Sequence, residues 1–421
     1  YAAQIAREEG RYDDAIAAAW KAAAADQAES LRKGEAAALS ALRPAPTGAG
    51  IEVASAPPLP AGSNWQWKSL AALLDERAAW LSSAFDSRDR KGTQGTSQYN
   101  ATEVPFEWRV PRGQNESLTF RADLVQVRAG SLDVADAFTM KTFGSLALCQ
   151  AAANCPAIAE QSAKGAAIDV GYRRGDLRFD VGTTPIGFLV TNVVGGIASR
   201  GDLGKFSYSV DASRRPVTGS LLSYAGTRDP LSGRVWGGVV ATGVRLGLSR
   251  DEGGAHGFWS SLGAHKLTGE NVKDNNRLQL MAGGYWRAIN QEDRLLSVGL
   301  TGMDWHFADN VGEYSFGHGG YYSPKSYTSL SLPLTYAQRF ARFAYAVRAA
   351  VSTSRSTTDP AAYYPTDSAL QAAAVARGID ATYSGGNGAS KAKGRSFHFG
   401  WEYQLDSKLF VGGRVEIERS P

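Results

Sequence analysis

Five histidines, two cysteines and scattered carboxylates are the first groups in this 421-residue chain to test as bases, nucleophiles or metal ligands. His256, His265, His306, His318 and His398 make neither an HExxH sequence nor a helical i, i+4 pair, the spacings that bring two imidazoles onto one zinc ion. No metal site and no cofactor is therefore expected. A hydrolase would need its acid, base and nucleophile from groups such as Asp229, Asp251, Glu313 and His318, and nothing in their spacing joins them. His318, within SFGHGGYY, reads first as a loop histidine making a polar contact. The glycine-rich runs do not follow a strand and open a helix, so they cradle no phosphate. No catalytic residue is assigned, and the chain is expected not to be an enzyme. Cys149 and Cys155 would close a small loop in an oxidising compartment, or stand as two free thiols.

The elements that would carry these groups are legible from alternation. Between Ser396 and Leu405, the residues Phe397, Phe399, Trp401, Tyr403 and Leu405 share one face, while Ser396, His398, Gly400, Glu402 and Gln404 share the other. Elsewhere the same period of two sets an apolar face against one of Arg, Asp, Glu, Ser and Gly. That inside-out pattern belongs to barrels whose apolar face meets lipid. Composition permits this: hydrophobic content is 43%, aromatic content 10%, and mean hydropathy −0.26. No run approaches the ~18 apolar residues of a membrane-crossing helix, whereas a barrel strand needs only about ten residues, half of them polar. A net charge of +4, with both signs mixed along the chain, gives no basic block for nucleic acid.

Connection lengths are a second, independent signal. Short turns at Asp251 to Gly254, Asn290 to Asp293, Ala341 to Arg342 and Asp406 to Ser407 alternate with long loops. The long loops are Arg214 to Ala241, Leu267 to Asn276, Ala308 to Tyr327 and Ser356 to Gly394. Outer-membrane barrels have short periplasmic turns and long external loops. The expected fold is thus mainly β, a transmembrane antiparallel barrel over 78–421. About fifteen strands are present, of about sixteen that an even-numbered barrel would need, the last expected beyond Pro421. Residues 1–43 are Ala-rich and place Gly10, Tyr12, Ala15 and Ala19 as a tetratricopeptide repeat would, so they read as the helical end of a longer solenoid. A Pro-rich linker and lead-in follow over 44–77.

Residues two apart share a face, which assigns Glu107, Arg109, Arg121, Asp123, Asp169, Arg173, Arg178, Asp180, Asp211, Arg245, Arg348, Glu402, Arg414 and Glu416 to the lumen. Interspersed signs suit a neutral or weakly charged polar solute, since ion-selective pores carry rings of one sign. Two external loops pack Tyr224, Trp236, Tyr314, Phe316, Tyr321 and Tyr322 among glycines. Such rings either stack on sugar faces or fold over one another to close the pore.

The tetratricopeptide remnant, the Pro-rich linker, DVGTTPIGF, SRRPVTGSLLSYAGTRDPLSGRVWGG and FGHGGYYSPKSYTSLSLPLTYAQR together resemble the C-terminal part of the BcsC family, the outer-membrane component of bacterial cellulose synthase. The resemblance implies an outer-membrane porin through which nascent β-1,4-glucan leaves a bacterial cell. It also implies periplasmic helices that contact the inner-membrane and periplasmic synthase subunits. Carried over from the matching motifs are Arg214, Arg215, Pro216, Tyr224, Trp236, Tyr314, Phe316, Gly319, Gly320, Tyr321, Tyr322 and Pro324, as polymer path or gate loops. Alternatives from the residues alone are an exporter of another exopolysaccharide, such as an amino-sugar polymer or alginate, or an outer-membrane hydrolase.

Overall fold

Alternating side chains commit each strand to two faces of opposite polarity, and a barrel with lipid outside and water inside satisfies both. The computed structural model describes Ala18, Ala19 and residues 78–419, apart from 113–115, 134, 150–154, 156–157, 292, 387–388 and 407. The expected repeat remnant over 1–43 and the linker over 44–77 lie outside the described residues, save Ala18 and Ala19, which are helical.

The strands are β1 (Trp80–Ser83), β2 (Asp86–Arg90), β3 (Tyr99–Arg112), β4 (Glu116–Gly130), β5 (Phe143–Gly144), β6 (Gln161–Arg174) and β7 (Leu177–Thr183). Next come β8 (Val193–Leu203), β9 (Phe206–Pro216), β10 (Thr227–Arg228), β11 (Val235–Arg250), β12 (His256–Glu270), β13 (Asn275–Asn290) and β14 (Arg294–Phe307). The last are β15 (Tyr314–Ser315), β16 (Ser326–Arg339), β17 (Phe343–Thr357), β18 (Ala361–Ala362), β19 (Thr382–Tyr383), β20 (Ser390–Gln404) and β21 (Phe410–Arg419). Short helices among the described residues of the loops are α1 (Ala137–Thr142), α2 (Leu221–Ala225) and α3 (Ser368–Ala376). With β1 and β2 taken as two halves of one strand, and the two-residue strands set aside, the wall strands among the described residues number fifteen.

Packing divides the chain into two units, Tyr1–Ala84 with Pro105–Ala122 and Asp169–Arg178, and Phe85–Val104 with Asp123–Ile168 and Phe179–Pro421. Within the first, β1 pairs antiparallel with β3 from Trp80↔Arg109 to Ser83↔Phe106. There Trp108 packs on Phe120 at 5.6 Å, and Arg174 meets Glu116 at 3.2 Å. Within the second, antiparallel pairing runs without a break from β8 through β9, β11, β12, β13, β14, β16, β17 and β20 to β21. The sheet is not closed among the described residues. There β21 pairs with β20, and one ion pair, Arg414 to Asp86 at 2.8 Å, reaches from β21 to β2.

Short turns fall where the sequence places them, but the long side differs at one point. The β12–β13 connection is only the tip between Glu270 and Asn275, because both strands continue past the span a membrane requires. At 15 and 16 residues they exceed the ~9–11 that cross a bilayer, and the excess enters the cap described below. Outward faces are apolar and exposed: Leu330, Leu332 and Leu334 on β16, Val244, Leu246 and Leu248 on β11, Leu278 and Leu280 on β13. No described helix is long and apolar enough to cross a membrane.

Candidate functional site: an inner wall and its cap

The long loops of the second unit fold over one another around a dry core of their own. Phe143, Leu146, Leu222, Trp236, Val311, Phe316, Tyr321 and Tyr364 are each no more than 5% exposed and belong to one cluster. Phe143 meets the Trp236 ring edge-on at 5.5 Å, and Phe316 lies tilted against the same ring at 5.7 Å. Strand β15 of one loop pairs in parallel with β5 of another. The loop carrying Cys149 and Cys155 is closed by a disulfide between them.

Polar joints lock the same loops. Asp229, 1% exposed, accepts hydrogen bonds from the backbone N–H and hydroxyl of both Ser145 and Ser232, at 2.6–2.9 Å. Gly144 makes that approach possible, because a Cβ there would stand 2.5 Å from an Asp229 oxygen, and its φ of +51 also favours glycine. Arg234 lies over the Phe316 ring at 4.4 Å and pairs at 2.7 Å with Asp367, whose carboxylate also caps α3. His318 is fully buried: its Nε2 donates to Ala362 O at 2.9 Å, its Nδ1 has no partner among the described residues, and its ring meets Tyr383 edge-on. Burial pushes its pKa down to about 4, so the ring is neutral in the closed cap. Burial also raises the Glu313 carboxyl.

The residues expected to gate or contact polymer therefore separate into distinct settings. Trp236, Phe316 and Tyr321 are core of the cap, and Tyr314 packs against that core. Tyr224 packs edge-on against Phe188 at 5.1 Å, within a second cluster that includes α2. Tyr322 is 56% exposed. Arg215 reaches across β8 to hold Asp180 bidentately at 2.5 and 2.7 Å, passing over Gly196, where a Cβ would come within 3.1 Å of its guanidinium. Arg214 falls on the opposite face, the one bearing exposed Val210, and donates to Val193 O and Asn192 Oδ1. Among the hydrolase candidates, Asp251 occupies a short turn, where Arg287 and then Tyr285 hold its carboxyl down at about 2. Asp229, Glu313 and His318 sit in the long loops at the other strand ends.

On the wall, each expected lumen charge shares the face opposite exposed apolar residues. Glu107 and Arg109 alternate with Phe106 and Trp108, Arg121 and Asp123 with Phe120 and Leu124, and Arg178 and Asp180 with Leu177, Phe179 and Val181. Asp169 and Arg173 share the β6 face opposite Ile168 and Val170. In register, Asp211 lies beside Arg245, Arg348 beside His398, and His398 beside Glu416. Glu402 and Arg414 occupy the same face of β20 and β21.

The sequence reading missed a line of apolar side chains on this inner face. Near the short-turn end, Tyr285 lies over Gly257 and Trp259 over Gly283, where a Cβ would stand 2.1 and 2.9 Å from the respective rings. Midway, Met281 and Met303 are cross-strand partners. Toward the cap, Trp305 packs on Tyr327 at 5.8 Å, and Tyr327 on Tyr322 at 6.0 Å. A ring that lies down on a glycine keeps one face open to the lumen. The signal was present as HGFWSSLG opposite MAGGYWR, but only the register aligns each ring with its glycine.

Comparison with known proteins matches residues 97–421 to the family described as Cellulose synthase operon protein C C-terminus. The chain is 36% identical over 338 residues to the Cellulose synthase operon protein C of Escherichia coli K12, covering 78% of this chain and 28% of that protein. Its counterpart of the same name in Pseudomonas fluorescens SBW25 is 35% identical over 360 residues, covering 84% of this chain and 26% of the relative. The chain thus spans little more than a quarter of these relatives. Among solved structures, one titled Bacterial polysaccharide outer membrane secretin superimposes with a TM-score of 0.50 at 8% identity, covering 82% of this chain and 92% of that one. That likeness fixes the fold as an outer-membrane β-barrel.

Proposed function

Because this chain belongs to the Cellulose synthase operon protein C C-terminal family, we propose that its barrel is an outer-membrane porin exporting a nascent exopolysaccharide, a cellulose-type β-1,4-glucan. Conduction is passive, driven by synthesis elsewhere. The observation that carries this reading is the inner line from Tyr285 and Trp259 through Met281 and Met303 to Trp305, Tyr327 and Tyr322. Pyranose rings of a β-linked glucan present flat C–H faces and equatorial hydroxyls. Open aromatic faces take the former, and wall charges of both signs hydrogen-bond the latter without favouring an ionic polymer. The barrel covers 78–421; residues 1–43 and 44–77 serve as periplasmic helix and linker toward the inner-membrane and periplasmic synthase subunits. The saturated Asp229 and the enclosed, neutral His318 support a conduit that performs no chemistry on its cargo.

The test is single-channel conductance in planar bilayers with cello-oligosaccharides titrated against anionic and amino-sugar oligomers. Block by the neutral glucan at the lowest concentration is expected. Preferential block by an anionic oligomer would sink the assignment of cargo.

A further inference from the structure

We propose that the outer face of the wall carries, at its extracellular rim, a binding site for the phosphorylated headgroup of an outer-leaflet glycolipid. The proposal rests on the outer-membrane reading of the barrel but not on the identity of its cargo. A cavity of about 900 Å3 lies where the upper ends of β4 and β6 meet the loops at Gly187–Leu189 and Gly226–Gly233. Gln126, Arg128, Ser162 and Lys164 line it, and all four are exposed, while Val125, Val127 and Ala129 between and beside the first pair are buried on the inner side. Arg228 completes its basic rim from the loop. Three cations thus face one exposed carboxylate, Glu160, because the other lining carboxylate, Asp229, is already taken by Ser145 and Ser232.

These cations are held ready rather than neutralised. With the Gln126 amide turned so that its oxygen meets Arg128, the guanidinium donates to it at 2.7 and 3.0 Å. Arg228 Nη1 donates to Gly233 O at 2.7 Å. Lys164 makes no ion pair among the described residues. Further along the same outer face of β4 and β6, toward the membrane, stand Leu124 and Ile168, each a little over 50% exposed. A basic, sugar-sized hollow directly above an apolar wall is complementary to an amphiphile with phosphate on its head and acyl chains below.

The experiment titrates the full chain, folded in zwitterionic detergent, with a bisphosphorylated acylated glucosamine disaccharide, its dephosphorylated form, and soluble glucosamine phosphate. Binding of the first is expected, with affinity about tenfold weaker after dephosphorylation and about tenfold weaker for R128Q/K164Q, as expected from losing one or two charge-assisted contacts. R228Q is the second variant, should the first fail to fold, with folding scored by circular dichroism and heat-modified gel mobility. Equal binding to wild type and a folded variant would overturn the proposal. So would soluble glucosamine phosphate binding as tightly as the lipid, since the apolar wall would then contribute nothing. Conductance measured on the same samples reports separately on the export reading.

Discussion

His318 makes closure of the cap depend on pH, and the sign follows from its surroundings. Its Nε2 is committed to Ala362 O, its ring edge to Tyr383, Lys273 repels a positive charge there, and Nδ1 faces no acceptor. An opened cap lets the imidazole bind a proton from about pH 6.5 downward, whereas the closed cap keeps it neutral to about pH 4. The opened state therefore binds more protons between these values. Closure is at full strength above about pH 6.5 and weakens as pH falls, by about 3 kcal/mol at pH 4. Glu313 acts oppositely, since its raised carboxyl favours closure as pH drops. Comparison of wild type with H318F isolates the histidine. The expected result is that proteolysis of the loops, or channel open probability, rises for wild type from pH 7 to 4.5 and stays flat or falls for H318F. Parallel profiles would show that His318 does not set closure. None of this was legible from SFGHGGYY alone, because Ala362 and Tyr383 come from a loop more than forty residues away.

At the scale of elements, the strands were legible and their ends were not. Alternation needs only neighbouring residues, so the outward Leu330, Leu332 and Leu334 and the inward charges followed directly. Strand ends depend on what the loops pack against: β11 bends into the cap through a register shift between Gly237 and Val240, where Gly237 and Gly238 both have positive φ. The aromatic line lay at the same limit, because parity puts Trp259 inside but only pairing with Gly283 lays it flat. Depth along a strand also sets the cost of a charge on the outer face. Leu332 is central in β16, so L332R should destabilise the barrel by about 2–4 kcal/mol. Trp401 is near the short-turn end of β20, beside the aromatic group of Tyr345, Phe340 and Phe343, so W401R should cost only about 0–1 kcal/mol. Urea unfolding in lipid vesicles measures both, and equal costs would remove the depth gradient that a bilayer imposes.

For the whole molecule, the aromatic residues that the sequence reading lodged in one gating or contact set occupy two settings, and on the proposed export reading the two roles divide between them. Trp236, Phe316 and Tyr321 hold loop to loop, so no polymer touches them while the cap is closed. Trp259, Tyr285 and Tyr327 line the wall beneath and lie outside the cap core, while Trp305 packs against that core and belongs to both. On the proposed export reading, the cap yields while the wall stays intact. Its separate core and joints, in loops joined to the ends of rigid strands, let it open without costing the sheet its pairing. The two sets should separate in one measurement. W236A/F316A removes two buried rings at about 3–5 kcal/mol each, more than closure of such a small core withstands, so the channel should pass from mostly shut to mostly open. Block by cello-oligosaccharide should keep its affinity once the variant is open. W259A/Y327A should leave the resting conductance near wild type and weaken that block about tenfold, the loss of about 1.4 kcal/mol of stacking. If the first variant altered block without altering opening, or the second altered opening without altering block, contact and gating would have to be reassigned to the opposite sets.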